Sequence, residues 1–151
     1  MDQLRLRAAE PHEAAAITEL ARRSKAYWGY SREFLDRVRE DLTVHAHQIR
    51  AGNVVVAEDG TTLLGYYRLG GAPPDGELAD LFVDPGAIGT GLGRRLWDHA
   101  VGQARERGFR SLELEADPNA EPFYLHVGAT KTGERQVASG RTLPVLRVDL
   151  R

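Results

Sequence analysis

The run Leu81–Leu96, reading LFVDPGAIGTGLGRRL, carries the residues best placed to do chemistry. A short apolar stretch stops at Asp84-Pro85, and glycines then alternate at Gly89, Gly91 and Gly93. Leu92, Leu96, Trp97, Ala100, Val101 and Ala104 follow at helical spacing. Strand, glycine turn and helix N-terminus together make an anion cradle. Glycine lets the backbone approach an oxyanion, and first-turn N–H groups face it with the positive end of the helix dipole. Two common anion loops are excluded. A dinucleotide fingerprint, G-x-G-x-x-G, fails because Arg94 stands where the third glycine belongs. A nucleoside-triphosphate loop fails because Leu92-Gly93 replaces its Lys-Ser/Thr, leaving no lysine for phosphate and no hydroxyl for magnesium.

The elements that must position this loop alternate along the chain. Leu4–Ala8 reads as a strand. Pro11 suits the first turn of a helix whose face is Ala14, Ile17, Leu20, Ala21 and Ser24. Ser31 can cap a second helix with Phe34, Leu35, Val38 and Leu42 on its apolar side. Val54–Glu58 and Leu63–Leu69 flank a hairpin turn at Asp59-Gly60. Pro73-Pro74-Asp75-Gly76 breaks the chain before a strand over Glu77–Val83. After the loop helix, Leu112, Leu114 and Ala116 alternate with polar residues as in a half-buried strand. Asn119 can cap a short helix through His126, and strands near Ala129–Glu134 and Leu143–Leu150 close the chain.

The G-x-G-x-G loop after a V-x-P strand end resembles the pyrophosphate motif of the GNAT acyl-CoA N-acyltransferases, written Arg/Gln-x-x-Gly-x-Gly/Ala. Gly91 and Gly93 match its glycines, while Ile88 replaces the usual Arg or Gln. A second stretch, Asn119–Ala129 or NAEPFYLHVGA, resembles the family segment N-x-x-a-x-x-F-Y-x-x-x-G-[FA], with Ala129 for the commoner Phe. The element order is also that of the family, so the resemblance covers nearly the whole chain. It implies one α/β GNAT domain over residues 1–151, a mixed central sheet with splayed parallel strands flanked by helices.

The resemblance further implies acetyl-CoA as co-substrate, without a metal, bound where strands Glu77–Val83 and Ser111–Ala116 part. Phe82 and Val83, beside Leu81, would pair with the pantetheine arm as an added strand does. The loop Ile88-Gly89-Thr90-Gly91-Leu92-Gly93-Arg94 would hold the pyrophosphate. Asn119 and Phe123 would flank the cofactor, Asn119 also being suited to cap its helix. Tyr124 stands at the family's general-acid position. A tyrosine with pKa near ~10 stays protonated at neutral pH and can serve a leaving thiolate. The acceptor amine needs a base or a desolvating pocket, since a lysine-like amine has pKa ~10.4. Glu77 and Asp80 are the candidates, with Glu115, Asp117 or a water relay as alternatives. In a strict strand Glu77 and Asp80 face opposite sides, so both line one site only if a bulge intervenes.

Tyr27-Trp28-Gly29-Tyr30 lies between the first two helices, where it can overhang an acceptor or plug the helix pair. Arg141, in Ser139-Gly140-Arg141, could supply a polar wall or a carboxylate contact. His45-x-His47 lacks a third ligand, so no metal site is expected. No G-x-S-x-G is present, and the chain has no cysteine, which excludes disulfides, thiolate zinc and a cysteine acyl-enzyme. At 151 residues and 42% hydrophobic it can bury one sizeable core, and a net charge of −2 offers no case for nucleic acid or an anionic membrane. No apolar run suggests a signal peptide or membrane span, so the cytoplasm is the expected compartment. The expected activity is transfer of an acetyl group to a small-molecule amine or amino-acid-like acceptor, with a homodimer left open. Acetylation of protein N-termini or lysines, and a non-catalytic acyl-CoA-binding module, are the alternatives.

Overall fold

The computed structural model describes residues 3–150. Its strands are β1 (Leu4–Ala8), β2 (Val54–Asp59), β3 (Thr62–Ala72), β4 (Asp75–Val83), β5 (Ser111–Glu115), β6 (Thr130–Gln136) and β7 (Thr142–Asp149). Its helices are α1 (Ala14–Ala26), α2 (Arg32–Arg37), α3 (Ala46–Arg50), α4 (Leu92–Glu106) and α5 (Glu121–His126). The seven strands form one sheet in the order β1-β2-β3-β4-β5-β7-β6. β4 and β5 run parallel, whereas β1–β2, β2–β3, β5–β7 and β6–β7 are antiparallel, so the sheet is mixed. The described residues gather into two compact units. One is the chain up to Arg68 with Asp80–Leu96; the other is Leu69–Ala79 with the chain from Trp97 onward.

In the first unit α1 forms because Ile17, Leu20 and Ala21 recur on one face, and all three are fully buried. They pack with Phe34, Val38, Leu42, Val54, Val56 and Tyr66 into one apolar cluster. Thr18, itself buried, accepts from the Val44 N–H at 2.9 Å and so ties the chain after α2 to α1. Ser31 caps α2 as its position implied, accepting from the Phe34 N–H at 3.1 Å. The second helix is shorter than its apolar spacing suggested. It ends at Arg37, and Val38 and Leu42 reach the core through successive turns. The sequence reading missed α3. Five residues are too few for a periodicity, and the helix rests on a capping box in which Gln48 Oε1 accepts from the His45 N–H at 2.9 Å. The β2–β3 hairpin closes at Asp59 opposite Thr62, so its loop is Gly60-Thr61, one residue beyond the expected turn. Gly60 has φ 62, the left-handed conformation this tight connection demands.

In the second unit Asp75, Gly76 and Glu77 of β4 pair with Ser111, Leu112 and Glu113 of β5. Gly76 is required by packing, because a Cβ there would lie 2.6 Å from the Phe109 ring. The chain reaches Phe109 through a Schellman motif that ends α4. Gly108, at φ 89, donates to the Arg105 carbonyl at 3.1 Å, and Phe109 donates to the Ala104 carbonyl at 3.0 Å. The proline-rich break before β4 is a two-residue connection, Pro73-Pro74, between β3 and β4 rather than a linker. Among the described residues no helix is long and apolar enough to cross a membrane.

Candidate active site

The glycine loop in the first unit is built from its strand end onward. Asp84 donates its N–H to the Leu64 carbonyl at 2.7 Å, which fixes where β4 stops. Its side chain accepts from the Gly86 N–H at 3.0 Å and from Arg23 Nε at 2.9 Å. Ala87 is buried beneath the turn, while Ile88 stays 46% exposed and adds no polar group. Gly89 and Gly91 have φ 83 and 86, and a Cβ on either would meet nothing within 4 Å. Left-handed glycines bordering open space are what a backbone anion cradle requires. Thr90, between them, turns its hydroxyl back to the Ala87 carbonyl. The Arg95 N–H closes the first turn of α4 on the Gly91 carbonyl at 3.2 Å. Leu92 points into the core, Gly93 is half-buried, and Arg94 is exposed at the helix start. The observed loop therefore fits a pyrophosphate held by main-chain N–H groups.

Leu81, Phe82 and Val83 are all half-buried, and Phe82 packs against the Tyr66 ring at 5.8 Å. Asp80 is held by Arg68 Nε, which donates to Oδ2 at 3.0 Å, and its side chain is only 11% exposed. Burial pushes the Asp80 carboxyl above its ordinary range, and Arg68 partly offsets that rise. Asp80 also lies near enough to Tyr66 for burial and this negative charge to push the phenol well above its ordinary value. The Tyr66 hydroxyl is nevertheless buried without a hydrogen-bond partner among the described residues. Neither Arg68 nor Tyr66 was singled out from sequence. The available signal was the alternation of Tyr66 and Arg68 along β3, which puts both on one face.

Glu77 is exposed and has no ion-pair partner among the described residues. Strand alternation alone would set it opposite Asp80. Its Cβ lies 3.9 Å from where a Cβ on Gly70 would stand.

The aromatic turn divides. Tyr27 and Trp28 are 52% and 44% exposed and meet edge-on at 5.3 Å between centroids. Tyr30 instead stacks on Phe34 at 4.4 Å, beside the core, with Lys25 Nζ 5.4 Å from its ring. Gly29, at φ 83, ends the helical turn between them. His45 and His47 stack at 5.4 Å, and His45 pairs with Glu40. Among the described residues no cluster of three or more His, Asp or Glu could hold a metal ion.

In the second unit Tyr124 is 7% exposed, wedged edge-on between Trp97 at 5.8 Å and the half-buried Phe123 at 5.2 Å. Its backbone is fixed by a second Schellman motif. Gly128, at φ 109, donates to the Leu125 carbonyl, and Ala129 donates to the Tyr124 carbonyl at 3.0 Å. That is the physical content of the spacing Tyr-x-x-x-Gly-Ala. Asn119 does not cap α5, whose cap is Ala120 without a side-chain bond. Asp117 takes the capping role instead, accepting from both the N–H and the Nδ2 of Asn119 at 2.9 Å. The aspartate wins because it precedes a 3-10 turn, Pro118–Ala120, that leads into α5. Arg141 is drawn to Asp117 at 3.5 Å, and Glu113 and Glu115 are drawn to Arg135. The acids on β5 are thus partnered, whereas Glu77 is not.

Comparison with known proteins adds to this geometry. The family described as acetyltransferase (GNAT) domain matches residues 12–147. The chain is 45% identical over 58 residues to a mycothiol acetyltransferase of Beutenbergia cavernae, covering 36% of this chain and 20% of that protein. It is 36% identical over 103 residues to the N-alpha-acetyltransferase RimI of Mycobacterium tuberculosis, covering 65% of this chain and 61% of that protein. The chain thus spans about a fifth and about three fifths of these two curated relatives. In fold it is similar to the PaiA N-acetyltransferase of Thermoplasma acidophilum, a structure in complex with coenzyme A. The TM-score is 0.77 at 18% identity, over 97% of this chain and 98% of that one.

Proposed function

Because the chain belongs to the acetyltransferase (GNAT) domain family, we propose that it acts as one acetyl-CoA-dependent domain that acetylates the amine of a small or amino-acid-like molecule. The observation that carries this reading is the loop Ile88–Arg94, with two left-handed glycines opening onto free space directly before α4. Main-chain N–H groups of Gly89, Gly91, Gly93 and Arg94 would hold the pyrophosphate, and their use of backbone makes the missing Arg or Gln at Ile88 tolerable. Phe82 and Val83 would pair with the pantetheine arm, with Leu81 beneath it and Asn119 and Phe123 beside it. Bound acetyl-CoA supplies the thioester carbonyl that the acceptor amine attacks.

The remaining chemistry falls to protons. Glu77 or Asp80 would take one from the ammonium of the acceptor; burial raises the Asp80 carboxyl above its ordinary range, which makes it a better base than a solvated aspartate. Tyr124 would give one to the departing thiolate, its ring orientation set by Trp97 and Phe123. Tyr27 and Trp28 would cover the acceptor from the rim, and Arg141 would bound it on the polar side. Likeness to a mycothiol acetyltransferase supports a small acceptor. Likeness to RimI supports a second reading, acetylation of a protein N-terminus. A panel of amines, amino acids and short peptides, followed by thiol release from acetyl-CoA, tests the proposal. Turnover on small amines is expected, turnover confined to peptides supports the second reading, and no turnover on any acceptor refutes both.

A further inference from the structure

We propose that Arg68 selects the acceptor by binding a carboxylate carried on the same molecule as the reacting amine. The inference rests on the acetyltransferase reading above and names the substrate class of that site. Arg68 spends Nε on Asp80 at 3.0 Å, and its other N–H groups have no partner among the described residues. The side chain is 24% exposed and its terminal nitrogens are not sealed from solvent, so an incoming group can reach them. Two residues earlier on the same face, the Tyr66 hydroxyl is fully buried beside Asp80 without a well-formed hydrogen bond. Tyr66 is packed in a cluster of apolar side chains that includes Phe34, and Leu35 and Phe82 pack against that cluster. Asp80 is the carboxylate that Arg68 contacts, and its Oδ2 is already used.

Partly desolvated, unpaired donors are costly, more so when charged, and a bound acceptor group relieves that cost. The geometry specifies which group. With Nε turned to Asp80, the terminal pair of nitrogens is the edge that remains, and this edge matches the two oxygens of a carboxylate. Asp80 would then sit between the anchoring guanidinium and the amine to be deprotonated. An amino acid or a short amino carboxylic acid meets both demands at once. Arg141, the other candidate for a carboxylate, is instead committed to Asp117.

The test compares α-, β- and γ-amino acids with their primary amides, which keep size and amine but lose the charge. The readout is the kcat/KM ratio of acid to amide, from which any effect of a variant on the base cancels. Wild type should favour the acid by about 10- to 100-fold, the worth of a charge-assisted hydrogen bond. Arg68→Met should bring the ratio close to one, and Arg68→Lys should retain part of it through charge alone. Acetyl-CoA affinity, measured by calorimetric titration, should change little in either variant. A wild-type ratio near one, or an unchanged ratio in both variants, overturns the proposal. So does loss of acetyl-CoA binding in Arg68→Lys with the ratio kept, which would assign the guanidinium to a phosphate. Should Arg68→Met fail to fold, the wild-type ratio and Arg68→Lys still decide. Failure to acetylate either form of any acceptor overturns the acetyltransferase reading together with this one, whereas equal rates on acid and amide overturn this one alone.

Discussion

Gly65 offers a perturbation whose size can be worked from distances. It is buried in β3, and a Cβ there would lie 2.9 Å from Leu96 Cδ1, 3.0 Å from the Phe82 carbonyl oxygen and 3.4 Å from Leu92 Cδ2. The first contact is below any ordinary approach, and Leu96 is fully buried and has nowhere to swing. The second is to main chain, so relief would require β4 to move at Phe82. Overpacking of this kind costs about 1–3 kcal/mol, offset by about 0.4–1 kcal/mol from the stiffer unfolded chain. A net loss of about 1–2 kcal/mol follows for Gly65→Ala, or a melting temperature lower by roughly 2–8 °C at this chain length. Gly70→Ala is the control, because its nearest neighbour would stand 3.9 Å away. The Gly65 variant should also bind acetyl-CoA more weakly, since the displaced atoms belong to the proposed pantetheine strand and to the first turn of α4. Thermal melts of both variants and calorimetric titration with acetyl-CoA measure this. A Gly65→Ala protein that melts with or above Gly70→Ala refutes the packing argument.

Gly91→Asp should abolish acetyl-CoA binding in calorimetry while the domain stays folded, at a backbone cost of about 1–2 kcal/mol for φ 86. Trp28→Ala should raise the acceptor KM with acetyl-CoA affinity retained and stability lowered by only about 1 kcal/mol, because the ring is 44% exposed and meets chiefly Tyr27. A large loss of stability with unchanged acceptor kinetics would make it a packing residue. Tyr124→Phe should keep acetyl-CoA binding and lower kcat by about 10²-fold, and an unchanged kcat would remove the hydroxyl from the reaction. Hydrogen bonds from Arg7 and then Arg5 pull the Glu58 carboxyl down to about 2 from an ordinary 4.5. Its contribution to stability is therefore complete above pH 4.5 and lost as pH falls through about 2. Urea midpoints of Glu58→Gln should fall less steeply than wild type across that window.

The strand, glycine loop and helix from Leu81 to Ala104 were legible because each leaves a local mark: an apolar run, residues suited to positive φ and helical spacing. The Phe123-Tyr124 segment was legible through the glycine that ends its helix. What escaped depends on contacts across strands. Arg68 and Tyr66 read as ordinary strand residues until Asp80 is seen beside them, and nothing in the local sequence announces a guanidinium with donors to spare. Asn119 was misplaced as a cap because Asp117 and Asn119 are both capping residues, and the choice depends on where the 3-10 turn begins.

The two ends of the Tyr124 segment are secured very differently from its middle. Asp117 grips the entry through its side chain, and main chain alone closes the exit, Gly128 on the Leu125 carbonyl and Ala129 on the Tyr124 carbonyl. Pro122, Leu125 and His126 lie between them on the surface. The stretch is therefore a transplantable cassette whose tyrosine keeps its place while the outward residues vary. An engineer could exchange the outward residues without moving the Tyr124 backbone.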